Sequence, residues 1–258
     1  MEKYAIFLDI DCTLLPYGKP VPPENIRAIK EATEAGHHVF INTGRAFSCI
    51  PGYIKQNVPL SGYVAGCGAN IIFKDEVIKS VILTPEELKF SWEIIENSGV
   101  MCLYEGENLC IAHGKKSEEA WKEHADGNII YSPEEFDTKF ASARISKLTV
   151  MPVPAEESVR KLAENFDIIN MSFYMEVIPK GCSKGNGMLE IAEKLGIKRE
   201  NCIAVGDSEN ARTMLETAGI SVAMDNSPDE IKKIADFVST DCQDGGVAYA
   251  IDKLVLKK

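Results

Sequence analysis

Hydrophobic and polar positions near the start of the chain predict strands and helices in alternation. Continuous apolar runs at Tyr4–Leu8 and His37–Ile41 are typical of strands that are buried on both faces. The segment Pro23–Gly36 between them has apolar residues at helical spacing, with proline at its start and glycine at its end. This strand–helix–strand pattern is the unit from which parallel sheets are built. The pattern then predicts a helix around 46–56, a strand at 63–65 and a hairpin at 71–73 and 77–83.

The same alternation returns near the end of the chain. A helix is predicted at Lys184–Gly196, and strands follow at Cys202–Val205, Ile220–Ala223 and Phe237–Val238. Two such stretches around a long middle section predict an α/β fold with one doubly wound, Rossmann-like parallel sheet that is interrupted by an insertion. In such sheets ligands bind beyond the carboxyl ends of the strands, so we expect the chemistry there.

The middle section has strand and helix patterns of its own. Thr84, Pro85 and Glu87 have the arrangement of a capped helix start, with proline at the first helical position. Strand-like runs are at 100–104, 109–112, 145–151, 168–172 and 174–178, and a helix with apolar spacing is at 159–166. These apolar faces predict an α+β domain and not a loop. We therefore assign residues 84–180 to a cap domain, and residues 1–83 and 181–258 to a core domain.

Composition and charge narrow the classes of function. Hydrophobic residues make up 45% of the 258 residues and charged residues 26%, which is ordinary for a globular protein. The net charge of −11 argues against nucleic-acid binding, because proteins that bind phosphate backbones carry a basic surface. None of the eight cysteines is in a C-x-x-C pair, no signal-peptide core follows Met1, and no apolar stretch has the length of a membrane span. We expect a cytoplasmic protein with reduced thiols that binds neither nucleic acid nor membrane.

Two aspartates, Asp9 and Asp11, directly follow the first strand. The pair suits a division of labour in which Asp9 is a nucleophile that forms an aspartyl-phosphate, while Asp11 is a general acid and then a general base. Two carboxylates in one crevice repel each other, and Mg²⁺, which prefers carboxylates, waters and phosphate oxygens, would relieve that repulsion. The alternative is an acidic turn after a strand.

Other polar residues stand at predicted strand ends or helix starts on the same edge of the sheet. The Thr43 hydroxyl and the Gly44 N–H can form a phosphate cradle, or an ordinary helix cap. Lys184 can offset the negative charge of Asp9 and a phosphate, or lie on the surface. Asp207 can complete a carboxylate site around one ion and Asn210 can reach a phosphate oxygen, or the two can belong to a capped loop. Together these residues supply the different parts that phosphoryl transfer requires.

These motifs, taken in order, point to a known family. D-x-D-x-T at 9–13, T-G-R at 43–45, the later lysine and G-D-x-x-N at 206–210 resemble the haloacid-dehalogenase-like (HAD) superfamily of aspartyl-phosphate phosphatases. The insertion of roughly a hundred residues, enough for a domain, looks like the type IIB cap. The runs at 223–226 and 244–247 are similar to the Cof-type subgroup.

The resemblance implies a role for each matching residue. Asp9 would be the nucleophile and a Mg²⁺ ligand, and Asp207 would be a further metal ligand. Asp11 would be the acid/base and would bind the metal through its backbone carbonyl. The groups that would hold the phosphoryl group are the backbone N–H of Ile10 together with Thr43, Gly44, Lys184 and Asn210.

Three residues depart from the family pattern. Cys12 stands where glycine is usual, Cys67 where asparagine is common, and Ala211 where an aspartate usually follows Asn210. Since that aspartate generally supports the metal-bound waters or the lysine, its absence predicts reduced metal affinity or rate, with activity retained.

The predicted function is Mg²⁺-dependent hydrolysis of small phosphate monoesters, such as sugar phosphates or phosphorylated cofactors, through an aspartyl-phosphate on Asp9. A phosphomutase, which returns the group to its substrate, is one alternative. A catalytically weakened phosphometabolite-binding protein is another, and Ala211 motivates it. The physiological substrate, the cap residues that select it and the oligomeric state do not follow from the sequence.

Overall fold

The computed structural model describes residues 2–258, which form two compact units. The first unit comprises the residues up to Gly44, Pro51–Lys79 and Ser183–Lys258, and the second comprises Arg45–Ile50 and Ser80–Cys182. Within residues 2–258, no helix combines the length and the apolar character needed to cross a membrane.

The strands, in chain order, are β1 (Ala5–Leu8), β2 (His38–Asn42), β3 (Gly62–Ala65), β4 (Asn70–Phe73), β5 (Glu76–Ser80), β6 (Met101–Gly106), β7 (Cys110–His113), β8 (Ile129–Ile130), β9 (Ile145–Met151), β10 (Phe166–Asn170), β11 (Met175–Pro179), β12 (Cys202–Gly206), β13 (Ile220–Ala223) and β14 (Phe237–Val238). The α-helices are α1 (Pro23–Glu34), α2 (Gly52–Asn57), α3 (Pro85–Ser98), α4 (Gly114–Trp121), α5 (Glu156–Asn165), α6 (Lys184–Lys194), α7 (Arg212–Thr217), α8 (Asp229–Lys232) and α9 (Gly246–Ile251).

The first unit is built on an eight-stranded sheet with the order β14-β13-β12-β1-β2-β3-β4-β5. The strands from β14 to β3 pair in parallel, and β4 pairs antiparallel with β3. The central strand β1 is completely buried, as its continuous apolar run predicted. The chain leaves β1 towards β2 and later returns to its other side at β12, which creates a topological switch point beside β1. This confirms the doubly wound parallel sheet.

The second unit contains a six-stranded sheet with the order β10-β11-β9-β6-β7-β8. Its strands pair antiparallel except for β7 and β8, which are parallel. One face of the sheet packs into an apolar cluster that includes Tyr104, Leu148 and Val150 together with Leu88 and Leu162 of α3 and α5. The capping box predicted at the start of α3 is present, because the Thr84 side chain accepts from the Glu87 N–H while the Glu87 side chain accepts from the Thr84 N–H. The predicted α+β character of the insertion is confirmed.

The opposite face of this sheet carries buried charges. Glu105 lies opposite Lys147, and Thr149 lies opposite Glu176, in the register of β6, β9 and β11. Lys147 Nζ lies 3.0 Å from Glu176 Oε1 and 3.4 Å from Glu105 Oε1. The Thr149 hydroxyl donates to the same Glu105 oxygen at 2.5 Å. Lys147 is only 2% exposed, so one buried cation lies between two buried carboxylates.

The helix predicted around 46–56 is wrong as a single element. The structure has a 3₁₀ turn at Phe47–Cys49 and then α2. Pro51 has no N–H to donate and disfavours the helical conformation for Ile50, which is extended with ψ 124°. A proline in the middle of the predicted helix therefore divides it.

The segment 45–50 also differs from the predicted division of domains, which placed it in the core. The Ser48 hydroxyl donates to the Gly106 carbonyl at 2.7 Å, and Cys49 packs against an apolar cluster that includes Leu103 and Ala112. These contacts lie within the second unit. Nearby residues cannot reveal them, because the partners are about 60 positions further along the chain.

Three smaller differences remain, two at the ends of predicted elements and one a helix that was not predicted. The second strand of the hairpin ends at Ser80 and not at Leu83, whose N–H instead donates to the Ile145 carbonyl at 2.8 Å. Helix α5 ends at Asn165, and Phe166 begins β10 in an extended conformation. The polar sequence of α4 concealed a helix that the apolar pattern does not predict.

Candidate active site

The register of β1 with its two neighbours determines which residues meet at the edge of the sheet. Leu8 pairs with Ile41 of β2 on one side and with Val205 of β12 on the other. The Asp9 N–H extends this pairing by donating to the Val205 carbonyl at 3.0 Å. The residues that follow all three strands therefore lie at one edge of the sheet, as the sequence predicted.

The strongest contact at this edge joins Asp9 to Lys184. Lys184 Nζ lies 2.6 Å from Asp9 Oδ2 and also donates to Asn210 Oδ1 at 2.9 Å. Asp9 is 3% exposed and Lys184 1%, so the ion pair is screened from water. Hydrogen bonds between ionised groups are among the strongest in proteins, and here they orient the Asp9 carboxylate. The structure thus brings three of the predicted residues together.

Backbone contacts position Lys184 at the first turn of α6. The Ser183 hydroxyl caps this helix by accepting from the Asn186 N–H at 3.0 Å. The Asn42 side chain, at the end of β2, donates to the Lys184 carbonyl at 2.9 Å. Gly68, with φ +88°, approaches Ser183 so closely that a Cβ atom would overlap the Ser183 carbonyl. Glycine is required there because both its backbone conformation and the close approach exclude a side chain.

Asp207 directly follows β12 and accepts a hydrogen bond from the Thr13 hydroxyl at 2.8 Å. Burial, and then the negative charge of Asp9, raise the pKa of Asp207 to about 7. Burial likewise raises the pKa of Asp9 above its ordinary value, against the lowering effect of Lys184. The buried carboxylate of Asp9 and the partly buried one of Asp207 therefore repel each other when both are ionised, and a cation between them would relieve that repulsion.

Asp11 is partly buried in a turn that coils directly after β1. The turn is closed by hydrogen bonds from the Leu14 N–H to the Asp9 carbonyl at 3.2 Å and from the Thr13 N–H to the Ile10 carbonyl at 3.3 Å. The charge of Asp11 contributes to raising the pKa of Asp9 and of Asp207, which indicates that the three carboxylates share one electrostatic environment.

The remaining predicted phosphate contacts are Thr43, Gly44 and the Ile10 N–H. Thr43 is buried just beyond β2, where its N–H donates to the Val64 carbonyl at 2.9 Å. Gly44 follows it in the chain. The Ile10 N–H donates to Asp9 Oδ1 at 2.8 Å, so it would have to exchange this partner for a phosphate oxygen.

The three departures from the family pattern have distinct structural settings. Cys12 and Cys67 both have φ +53°, in the left-handed region that glycine and asparagine tolerate best. This explains why those two residue types are usual at these positions. Ala211 is completely buried, and its Cβ packs against the bare Cα of Gly206. The position usually taken by an aspartate is therefore part of the apolar core.

Some polar contacts at the site were missing from the sequence prediction. Thr13 was recognised only as the end of the D-x-D-x-T motif, but its hydroxyl bonds Asp207. The Asn42 side chain donates to the Lys184 carbonyl in α6, and the Asn226 side chain donates to the Cys12 carbonyl at 2.9 Å. Both asparagines follow or lie at the end of parallel strands, and that placement is the signal that could have identified them.

The donor set fits a magnesium ion of the kind that keeps several waters. Within residues 2–258, no three His, Cys, Asp or Glu side chains are grouped as a complete metal cage. Asp9 and Asp207 nevertheless supply hard carboxylate oxygens, and each oxygen retains lone pairs beyond the hydrogen bond that it accepts. Mg²⁺ is typically bound by one or two carboxylates plus waters and substrate phosphate.

If Lys184 holds the phosphoryl group, as the motif order implies, Lys184→Met should lower kcat by about 10²- to 10³-fold, because a buried donor would be lost beside the negative charge of the reacting phosphate. The matched control is Lys194→Met on the same helix, whose exposed side chain pairs with Glu76 at 3.3 Å. Steady-state hydrolysis of an aryl phosphate measures both variants. Equal rates in the two variants would contradict the role of Lys184, provided that their melting temperatures show both to be folded.

Comparison with known proteins identifies the family to which the chain belongs. A family model of haloacid dehalogenase-like hydrolases matches residues 6–251. The 5-amino-6-(5-phospho-D-ribitylamino)uracil phosphatase YwtE of Bacillus subtilis is 27% identical, with 97% of this chain and 98% of that protein covered. The phosphoglycolate phosphatase of Methanothermobacter thermautotrophicus is 26% identical, with 97% and 98% covered.

A solved structure extends this likeness to the whole fold. The HAD subclass IIB sugar phosphatase BT4131 superposes with a TM-score of 0.82 at 26% identity, covering 97% of this chain and 98% of that one. The chain therefore belongs to the haloacid dehalogenase-like hydrolases, and its similarity to BT4131 supports subclass IIB.

Proposed function

We propose that this protein is a Mg²⁺-dependent phosphatase that forms an aspartyl-phosphate on Asp9. The observation that carries the proposal is the buried contact of Asp9 with Lys184 at 2.6 Å. An ion pair that is excluded from water at the end of a central strand positions a carboxylate as a nucleophile and places positive charge beside the phosphoryl group that it attacks.

In the first step, an Asp9 oxygen attacks phosphorus and the bond to the leaving oxygen breaks. Asp11, two residues away in the coiled turn, donates the proton that the leaving oxygen needs. Lys184 and Asn210 hold phosphoryl oxygens, with Thr43 and Gly44 contributing from the adjoining loop. In the second step, Asp11 takes a proton from water, which attacks phosphorus, and Asp9 is regenerated as phosphate leaves.

Asp9, Asp207 and the Asp11 carbonyl would hold the magnesium ion. When bound, Mg²⁺ offsets the charges of the carboxylates and of the phosphate in the same small space. Burial, and then the charge of Asp9, raise the pKa of Asp207 to about 7, and a cation beside both carboxylates would favour their ionised forms.

The substrate class that we propose is a small phosphate monoester, such as a sugar phosphate or a phosphorylated cofactor. The relatives support this class: one is named for a ribitylaminouracil phosphate, and a similar structure is described as a sugar phosphatase. A panel of phosphorylated metabolites, with released phosphate as the readout, would identify the preferred member.

Metal removal tests the proposal directly. Protein treated with EDTA and then freed of chelator should release phosphate from p-nitrophenyl phosphate at under about 1% of the original rate, because the carboxylate charges are no longer offset. Added Mg²⁺ should restore the rate, whereas added Na⁺ at matched ionic strength should not. Full activity after metal removal would contradict the dependence on Mg²⁺.

The two alternatives predict different products in the same assay. A phosphomutase would isomerise a sugar phosphate without net release of phosphate. A weakened binding protein, which the buried Ala211 motivates, would bind phosphate esters without turnover in saturating Mg²⁺. Net release of phosphate at a steady rate supports the phosphatase over both.

A further inference from the structure

Two cysteines of the second unit face each other at close range. Cys49 ends the 3₁₀ turn at Phe47–Cys49, and Cys110 begins β7. Both are free thiols, and their sulfur atoms lie 2.6 Å apart. This separation is only about 0.6 Å longer than a disulfide bond. Neither residue takes part in the proposed phosphatase chemistry.

The surrounding contacts fix the turn against the β6–β7 hairpin. The Ser48 hydroxyl donates to the Gly106 carbonyl at 2.7 Å and lies 3.4 Å from the Cys110 sulfur. The Arg45 guanidinium donates to the Cys49 carbonyl at 3.1 Å. Cys110 is buried, whereas Cys49 is partly exposed. The two sulfurs are thus held together within the second unit.

We propose that Cys49 and Cys110 are a redox modification site, at which hydrogen peroxide converts the two thiols into a reversible disulfide. The bond would join residues 61 positions apart and would anchor the segment that directly follows Gly44.

The electrostatics of the pair favour this chemistry. The hydrogen bond with Cys49 lowers the pKa of Cys110 from its ordinary value, with a smaller lowering from the contact with Ser48, against the effects of burial and of Glu105. Donation to Cys110 correspondingly raises the pKa of Cys49. When the pair loses one proton, the two sulfurs share the other, so that a thiolate, the reactive form of cysteine, is available.

The oxidation balances with peroxide as the only co-reactant. The thiolate of the pair attacks one peroxide oxygen, the O–O bond breaks, and a sulfenic acid and water are formed. The remaining sulfur then gives up its proton and attacks the oxidised one, which forms the S–S bond and releases the sulfenic oxygen as water. Two thiols lose two electrons and two protons, and one peroxide becomes two waters. A dithiol reductant reverses the change.

The test exposes the purified protein to hydrogen peroxide, removes the peroxide with catalase, and counts free thiols after denaturation. We expect a loss of two of the eight thiols, a peptide pair joined through Cys49 and Cys110 in the mass spectrum of a digest, and full recovery with dithiothreitol. Cys182→Ser, which removes a thiol from the same unit, should still lose two thiols.

Cys49→Ser should retain its remaining thiols under the same peroxide treatment, apart from a slow background. Cys49 is chosen because it is partly exposed, so its replacement disturbs the fold less than replacement of the buried Cys110 would. Absence of the joined peptides in oxidised wild-type protein would overturn the proposal. An equal loss of thiols in Cys49→Ser, or sulfinic acid at either residue without a cross-link, would also overturn it.

Discussion

Asp9→Asn should lower the rate of phosphate release by at least about 10³-fold, which corresponds to about 4 kcal/mol of activation free energy. The substitution keeps the shape of the side chain, and its amide oxygen can still accept the hydrogen bond that Lys184 donates to Asp9. What it removes is the negative charge and the nucleophilic oxygen, so the covalent intermediate cannot form. Initial rates with p-nitrophenyl phosphate in saturating Mg²⁺ measure the effect.

A second measurement separates loss of the nucleophile from loss of the fold. Each protein is mixed with a ³²P-labelled substrate and quenched in acid. The wild-type protein should retain labelled phosphate, whereas Asp9→Asn should retain none. Asp229→Asn is the matched control, because it makes the same chemical change at an exposed position in α8. Wild-type turnover by Asp9→Asn would refute a covalent mechanism at this residue.

Lys147→Met should lower the free energy of unfolding by about 3–5 kcal/mol, because removal of one partner from a buried ion pair leaves an uncompensated charge. Here the lost cation has two buried partners, Glu105 and Glu176, at 3.4 Å and 3.0 Å. Urea unfolding can be followed by tryptophan fluorescence, which reports on the second unit because Trp92 and Trp121 both belong to it.

Two controls make this stability result specific. Lys161→Met removes a half-exposed lysine that pairs with Glu157 at 2.9 Å, and it should change stability by less than about 1 kcal/mol. Adding Glu105→Gln and Glu176→Gln to Lys147→Met should restore much of the loss, since the unpaired charges are then gone. A loss in Lys147→Met no larger than that in Lys161→Met would show that the buried charges are compensated in another way.

The sequence predicted those features that depend on residues close together in the chain, such as the buried strands of the core. Continuous apolar runs identified β1 and β12 because strands that are buried on both faces have no polar alternation. Once those strands are known to be parallel, their carboxyl ends share an edge, and the approach of Asp9, Asp207 and Lys184 follows from topology.

The features that the sequence did not reveal depend on distant partners. Lys147 looks like an ordinary surface lysine until the register of β9 with β6 and β11 places it between two glutamates. Cys49 and Cys110 meet only because the segment 45–50 packs within the second unit. Pro51 is the exception, since its effect on the preceding residue was visible in the sequence and was overlooked.

The central position of β1 has a consequence for synthesis on the ribosome. β1 can pair with β2 early, but its other edge must wait for β12, and Thr13 waits for Asp207, 194 residues later. At about 5–20 residues per second, this wait lasts about 10–40 s. Residues 80–182 form a continuous stretch of the second unit, and they emerge completely during that interval. The nascent chain therefore carries an unpaired apolar strand edge, a known aggregation hazard, until β12 pairs with β1 and brings Asp207 to the active site.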